Sequence, residues 1–499
     1  MRRIFKTAAA LLVLGSAAAQ AEETGADRLI FAGDVLLGRE VAREMERRGG
    51  VSPWSELKGL GRAAFAMANF EGAVGDGGGC GGQSGGAPCF EIRPGALRHL
   101  AAAGFTAVGL ANNHAGDLGR AGRHRTRAEL SAAGIDSLTF DDSPGFVRAG
   151  HRVIAVIALN LIRGRDGSAD PAPSFELERR LRLARALADW VVVFVHWGAE
   201  LRDWPQPSQR SLADWLVSNG VDLIVGHHPH VAAAPECVRG RPVFYSLGNH
   251  VFDQKYPETK RGLIADCRIK GDTLSCAPLA TGTPPGSSFP RLSGAAGAIG
   301  PGLASCTAPA GKGLQLSGWR LAPWGEPNRL VSGPMVIEGR PVEKIAGRMA
   351  APWKMAGRRV LSVGTGRMAP DRPSFLVTIE RHPSSIDSED GPRPYVYEVS
   401  DHGLIARWRG SALAWPLIDA RLMKGADGVS LLCALHRADS FIRLNPSSKG
   451  TRTAVYRWSG FGFRAWNGEG AEGRCRKLYA ASLSLRDASA KAPAGPAKP

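Results

Sequence analysis

The sequence predicts an α/β domain followed by a β-rich one, on three observations. Short apolar runs of strand length each end in polar, metal-compatible side chains. A Gly/Pro/Ser/Ala-rich stretch then interrupts the chain, and beyond it strand-like segments recur at a near-constant offset. At about 100–200 residues per domain, 499 residues allow two or three domains.

The opening MRRIFKTAAALLVLGSAAAQA carries three cations, an apolar run from Ala8 to Leu14 and a small-x-small ending at Ala19-Gln20-Ala21. This reads as a secretory leader, residues 1–21, cleaved after Ala21. The run is shorter than the roughly 20 residues needed to span a bilayer. The mature chain is therefore expected outside the cytosol, in the periplasm or cell envelope.

In the predicted first domain, residues 27–279, RLIFAGD ends in Asp34 and AAFAMANFE in Asn69 and Glu71. FTAVGLANNH ends in Asn112, Asn113 and His114, and WVVVFVHWG carries His196. VDLIVGHHPHV runs into His227, His228 and His230, and PVFYSLGNHVFD carries Asn249, His250 and Asp253. Ligands bind outside the carboxyl ends of the strands in open α/β sheets, so these residues are expected to converge. The candidate site is Asp34, Glu71, Asn113, His114, His196, His228 and His230, with Asn69, Asn249 and His250 lining a substrate mouth. Oxygen and imidazole donors without cysteine suit Mn, Fe, Zn or Mg, and argue against copper(I) or iron–sulfur chemistry.

Residues 280–305, ATGTPPGSSFPRLSGAAGAIGPGLAS, read as a linker. In residues 306–480, SFLVTIERHPSS from Ser374 compares with VSLLCALHRADS from Val429, 55 positions on. YVYEVSDHGLIARWRG from Tyr395 compares with TAVYRWSGFGFRAWNG from Thr453, 58 positions on. A third copy is expected in PMVIEGRPVEKIAGR and GRRVLSVGTGR. Such periods suit propeller-blade-like repeats in an all-β domain, too few to close a ring of about 4–8 blades. Trp408, Trp415, Trp458 and Trp466 fall at repeat positions as expected core residues. The Ala/Pro/Lys-rich tail, 481–499, is expected to be disordered.

Eight cysteines, an even number, suit an oxidising compartment. Cys80 and Cys89 bracket a floppy loop, Cys267 and Cys276 flank a hairpin, Cys433 and Cys475 would lock the last repeat, and Cys237 and Cys306 remain. All eight are expected to be staples, since no CxxC or Cys/His nucleophile pattern occurs. The formal charge of +17 falls to +14 without Arg2, Arg3 and Lys6 of the leader. An exported cation of this size attracts polyanions. Nucleic acid is not expected, because no reader module is present.

The ordered motifs GDVLLGR, ANFEG, LANNHAGDLG, VVVFVHWGAE, VGHHPHV and FYSLGNHVFD resemble the CapA family of poly-γ-glutamate (capsule) synthesis proteins, over about residues 28–270. That family is similar to calcineurin-like metallophosphoesterases, so the resemblance implies a four-layer αββα sandwich and a divalent-metal site. Carried over by position, Asp34, Glu71, Asn113, His196, His228 and His230 are metal ligands, and His114 protonates the leaving group, with Asp34 also assigned to the catalytic set. Leu36 stands where the phosphoesterase motif has a histidine. The resemblance therefore implies one metal, held by Glu71, Asn113, His196 and His228, or one strong and one weak position.

Two functions fit these expectations. One is a metal-dependent hydrolase acting on a phosphoester or a γ-glutamyl polymer. The other is a non-catalytic binding or assembly module that retains the fold and serves a membrane-bound polymer synthase complex. In both, the expected partner is an anionic polymer such as poly-γ-glutamate.

Overall fold

The computed structural model describes residues 25–491 apart from internal stretches, of which 81–87, 294–302, 339–358, 384–389 and 439–449 are the longest. The expected leader and the last eight residues of the tail lie outside the described residues. No helix among the described residues is long and apolar enough to cross a membrane.

Two sheets build the first body. One runs in the order Arg291–Leu292, Thr273–Gly282, Arg261–Lys270, Arg28–Val35, Phe65–Phe70, Ala107–Gly109, Asp136–Leu138, with Asn249–Val251 added parallel to Arg28–Val35. The other runs Glu236–Val238, Arg241–Phe244, Leu223–His227, Trp190–His196, Arg152–Asn160, Gly145–Ala149.

Alternation along the strands sorts side chains into layers. Leu29, Phe31, Phe65 and Met67 of the first sheet meet Val156, Val192, Phe194 and Val225 of the second in one buried core. The intervening Ile30, Ala32, Ala66 and Ala68 pack outward on Val41 and Met45 of helix Arg39–Arg47, and on Leu100 and Leu130. On the far side of the second sheet, Val191, Val193 and Val195 pack on helices Phe175–Leu187 and Pro207–Ser218. The layering is helix, sheet, sheet, helix. Helix Phe175–Leu187 starts where Ser174 Oγ accepts the amide of Leu177, an N-cap.

The first body does not end at residue 279. Thr273–Gly282 completes a hairpin with Arg261–Lys270, and Thr307–Pro309 returns to pair with it. Cys306, expected at the start of the β domain, is bonded to Cys237, and Phe289, inside the expected linker, is fully buried. The other disulfides are Cys80–Cys89, Cys267–Cys276 across the hairpin, and Cys433–Cys475.

Beyond this body lie two four-stranded antiparallel sheets: Arg359–Arg367, Ser374–Pro383, Asp390–Ser400, Gly403–Arg409, and then Leu417–Lys424, Ser430–Arg437, Thr451–Trp458, Phe463–Ala465. They share a core of Phe375, Val377 and Val396 against Leu432, Tyr456 and Trp458. The copied segments occupy the second strand and the third and fourth strands of each sheet. Each sheet also has a tyrosine on its third strand bonded to a histidine on its second, Tyr395 to His382 at 2.7 Å and Tyr456 to His436 at 3.0 Å. In register, Tyr395 faces Thr378 and Tyr456 faces Leu432, so each hydroxyl reaches a histidine four residues further along.

Three expectations are corrected by this arrangement. The supposed third copy is not a unit: Met335–Glu338 pairs with Trp319–Pro323, while Arg359–Arg367 is the first strand of the next sheet. The C-terminal part is not all β, and the chain past 480 is not wholly without structure. Helix Ala471–Lys491 covers the last sheet with Ala471, Cys475 and Tyr479, residues at helical spacing that share one buried face.

Candidate metal centre

Parallel register brings the strand ends together. Asp34 lies beside Asn69 on one side and Asn249 on the other, and His196 lies between Asn160 and His227. The close fit at Asp34 needs glycine twice. A Cβ on Gly33 would stand 2.0 Å from the Gly248 carbonyl oxygen, the same oxygen that accepts the Asp34 amide, and Gly248 has φ +66°.

The carboxylates of Asp34 and Glu71 and the His196 ring place one potential ligand atom each within 4.8 Å of one another, and Glu200, His228 and His230 form a second such group. Asn113 Oδ1 lies 2.8 Å from His196 Nε2, and the His196 and His228 rings are 4.8 Å apart. His230 links the groups, with Nδ1 3.2 Å from Asp34 and Nε2 3.6 Å from Glu71. His114 places Nδ1 2.8 Å from Asp117 and Nε2 3.9 Å from Glu71, its ring stacked on Phe90 at 3.8 Å. All the predicted ligands thus meet at one place.

The donor set fits a cation. Glu71 Oε1 and His228 Nδ1 are buried and have no hydrogen-bond partner among the described residues. Burying such groups unpaired costs roughly 1–3 kcal/mol each. Burial drives Glu71 well above the usual carboxylate range, with the charges of Asp34, Glu200 and Asp117 adding to it against His230. Burial would lower His230, yet Glu71, Asp34 and Asn249 raise it to about 10. Asp34 is likewise pushed up by burial but ends well below its ordinary value through His227 and His230. Burial holds His196 well below its ordinary value and His228 at about 3, so both rings are neutral, the form that ligates. His228 at φ +95° and His230 at φ +60° are strained for non-glycine residues, as is Leu201 at φ +58° beside Glu200. Strain of this kind concentrates where a geometry is functionally constrained.

The three expected substrate contacts are corrected. Asn69 is buried, and its Nδ2 faces Asp34 Oδ1 at 2.8 Å, Glu71 Oε2 at 3.4 Å and His196 Nδ1 at 3.3 Å, so its amide is consumed inside the cluster. Asn249 spends Oδ1 on His230 Nδ1 at 2.9 Å and Nδ2 on Gln254 and the Thr259 carbonyl, and so orients the histidine. His250 is turned away from the cluster. It accepts from Trp54 Nε1 at 2.9 Å and packs on Phe105, and burial holds it neutral with a pKa of about 4. Successive strand residues point to opposite faces, so Asn249 and His250 cannot both face the site.

Three residues at the cluster were left out of the candidate site. His227 is fully buried, its ring tilted against Phe194 at 4.1 Å, with Nδ1 3.4 Å from Asp34. Asp117 holds His114 and also accepts the Phe90 amide at 2.7 Å. Glu200 is exposed in the loop after His196, and Leu201 bonds that loop to the Pro229 carbonyl at 2.9 Å, bringing the carboxylate beside His228 and His230. The acidic residues at the ends of HWGAE and NNHAGD were the available signals. Leu36 is fully buried in the outer apolar layer.

The family model for bacterial capsule synthesis protein PGA_cap matches residues 28–254. The PGA biosynthesis protein CapA of Bacillus subtilis is 30% identical over 255 residues, covering 48% of this chain and 67% of that protein. The capsule biosynthesis protein CapA of Bacillus anthracis is 33% identical over 185 residues, covering 34% of this chain and 45% of that protein. A probable polyglutamine synthesis accessory protein of Mycobacterium tuberculosis is 27% identical over 189 residues, 33% of this chain and 50% of that protein. With its motifs gathered at the carboxyl ends of two facing sheets, the chain belongs to the CapA family of bacterial capsule synthesis proteins.

Proposed function

We propose that this chain is an exported component of capsular polymer synthesis, acting on or holding poly-γ-glutamate or a similar polyanion, with a divalent-metal site of hydrolase type. The observation that carries this reading is the enclosure of Glu71 Oε1 and His228 Nδ1, without a hydrogen-bond partner among the described residues, in one cluster with Asp34, His196 and His230. The names of the Bacillus relatives support the polymer, and four disulfides together with the leader support export.

Glu71, Asn113, His196 and His228 would hold one Mn, Fe, Zn or Mg ion, with Asp34 and His230 orienting the shell or forming a weaker position. A bound cation supplies Lewis-acid polarisation of a substrate oxygen and an acidified water. The chain's own part is positional. Asn69 fixes the Asp34 and Glu71 carboxylates, Asn249 aims His230, and Asp117 holds Nδ1 of His114 so that Nε2 faces the cluster as a proton donor to a leaving group. The two four-stranded sheets after residue 359, read as propeller-blade-like repeats, would offer a docking surface for a membrane-bound synthase complex.

A non-catalytic assembly module is the second reading. Leu36 in place of a histidine favours it, as does the Asn69 amide standing among Asp34, Glu71 and His196. The test is metal content by mass spectrometry on the exported protein, with His196→Ala and His228→Ala prepared alike. About one ion per chain, lost in both variants, is expected. Hydrolysis of a phosphoester or γ-glutamyl substrate that disappears in the same variants selects the enzyme, and retained polymer binding without turnover selects the module. No metal bound, even after adding Mn, Zn or Fe, would overturn the metal-site reading.

A further inference from the structure

The segment after Asn249 and Thr283–Ser288, part of the stretch expected to be a linker, wall an open pocket of about 970 Å³. Its volume is that of a ligand site rather than of a packing defect. Lys255, Lys260, Arg261 and Arg291 line it. Its two acids, Glu40 and Asp253, are already taken. Asp253 pairs with Arg39 at 3.1 Å, and Glu40 pairs with Arg43 at 2.8 Å and Arg47 at 2.7 Å. Arg291 is engaged with Glu56, and Lys260 Nζ donates to the Ser287 carbonyl at 2.9 Å. Lys255 and Arg261 are exposed and have no acidic partner among the described residues.

The far wall is stiff. The Ser287 amide bonds the Pro284 carbonyl at 3.0 Å around Pro285 and Gly286, the latter at φ +76°, which is a turn with proline at its second position and glycine at its third. Glu44 clamps the two serines at the end of this turn, accepting from Ser287 Oγ at 2.7 Å and the Ser288 amide at 2.6 Å. A pocket fixed in this way loses little freedom when a ligand enters. It communicates with the cluster through Asn249, which bonds His230 on one side and Gln254 and Thr259 on the other.

We propose that this pocket binds the free carboxylates of the polymer chain, as a subsite distinct from the histidine and carboxylate cluster and joined to it through residues 249–260. The assignment rests on the proposed function for the identity of the polymer, and on the unspent charge of Lys255 and Arg261 for its place. Carboxylates entering here meet Lys255 and Arg261, whose charge no acid among the described residues neutralises, while the acids of the pocket are shielded by their own arginines.

The test uses the full chain and a fluorescently labelled, γ-linked glutamate oligomer, read by anisotropy at low and at physiological salt. Lys255→Ala with Arg261→Ala is expected to weaken binding about tenfold at low salt, with a shallower salt dependence than the parent. Metal content stays unchanged, and Lys255→Arg with Arg261→Lys keeps the affinity. His196→Ala keeps oligomer binding while losing metal. Equal affinity in parent and double alanine variant overturns the subsite and leaves the proposed function standing. No oligomer binding by the parent overturns the polymer assignment itself, and the subsite with it. Inorganic polyphosphate that binds more tightly than the oligomer, and is lost in the same variant, overturns the carboxylate assignment in favour of a phosphate site.

Discussion

The Nδ1 atom of His114 lies 2.8 Å from the Asp117 carboxylate, which anchors that side of the ring and turns Nε2 toward Glu71. Asp117 is thus a positioning residue for His114. Under the proposed hydrolase, Asp117→Asn is expected to lower turnover about 100-fold through loss of the carboxylate that orients the His114 ring, with KM and metal content little changed. Steady-state kinetics with metal analysis check it, and a parallel loss of metal would move Asp117 to a role in holding the cluster.

The Asn69 amide stands between two carboxylates and a histidine, where it offers partial positive charge without a net charge. Asn69→Asp puts a third carboxylate there. In chelator this variant is expected to melt below the parent, from repulsion among buried acids, and to gain more than the parent when Mn or Zn is added. Thermal melts with and without EDTA read both effects. Equal melting in chelator would show that the amide is not balancing the carboxylates.

His436 is held neutral, with a pKa of about 4, by burial, which outweighs the bond from its Nδ1 to the Trp415 carbonyl. Unfolded, the ring titrates near 6.5 and takes up its proton first as the pH falls. Its contribution is therefore complete above pH 6.5 and is lost between about pH 6.5 and 4, with a slope of at most roughly 1.4 kcal/mol per pH unit. Denaturant titrations across this window should show the loss, and His436→Gln should flatten it. Tyr456→Phe leaves His436 Nε2 unpaired and is expected to cost about 1–3 kcal/mol at pH 7.

Cys237 and Cys306 are 69 positions apart, and their bond ties the chain's return strand to the second sheet. Replacing both by alanine is expected to cost about 4 kcal/mol from the unfolded-state entropy of so long a loop. Hydrogen exchange should then show Thr307–Pro309 opening ahead of the rest of its sheet.

Much of the site was legible because its residues end strands, and parallel register does the gathering: Asp34 beside Asn69 and Asn249, His196 beside His227. What a linear reading lacks is orientation. Asn249 and His250 are neighbours of similar chemistry, yet the pleat sends one to His230 and the other to Trp54. Glu200 was hidden because a loop carries it, and the fold of that loop depends on Leu201 at positive φ and on a bond to Pro229. The boundary at 279 failed because Gly, Pro and Ser mark turns as readily as linkers. Pro284–Ser287 is a turn within the packed body, and Cys306 returns to the first domain.

The strand bearing Asp34 has one neighbour nearby in sequence and the others far off. Arg28, at its start, pairs with Asp266, 238 positions away, and its end lies against Asn249–Val251. Contacts of this span form late and slowly. No early fragment of the chain therefore holds the whole ligand set in place, since His230 awaits Asn249 and Asp34 awaits both flanks. The cation is therefore chosen where folding finishes. Geometry, ligand type and supply together select among mid-row metals, so the ions present where folding finishes share with the donors in deciding which one the cluster carries.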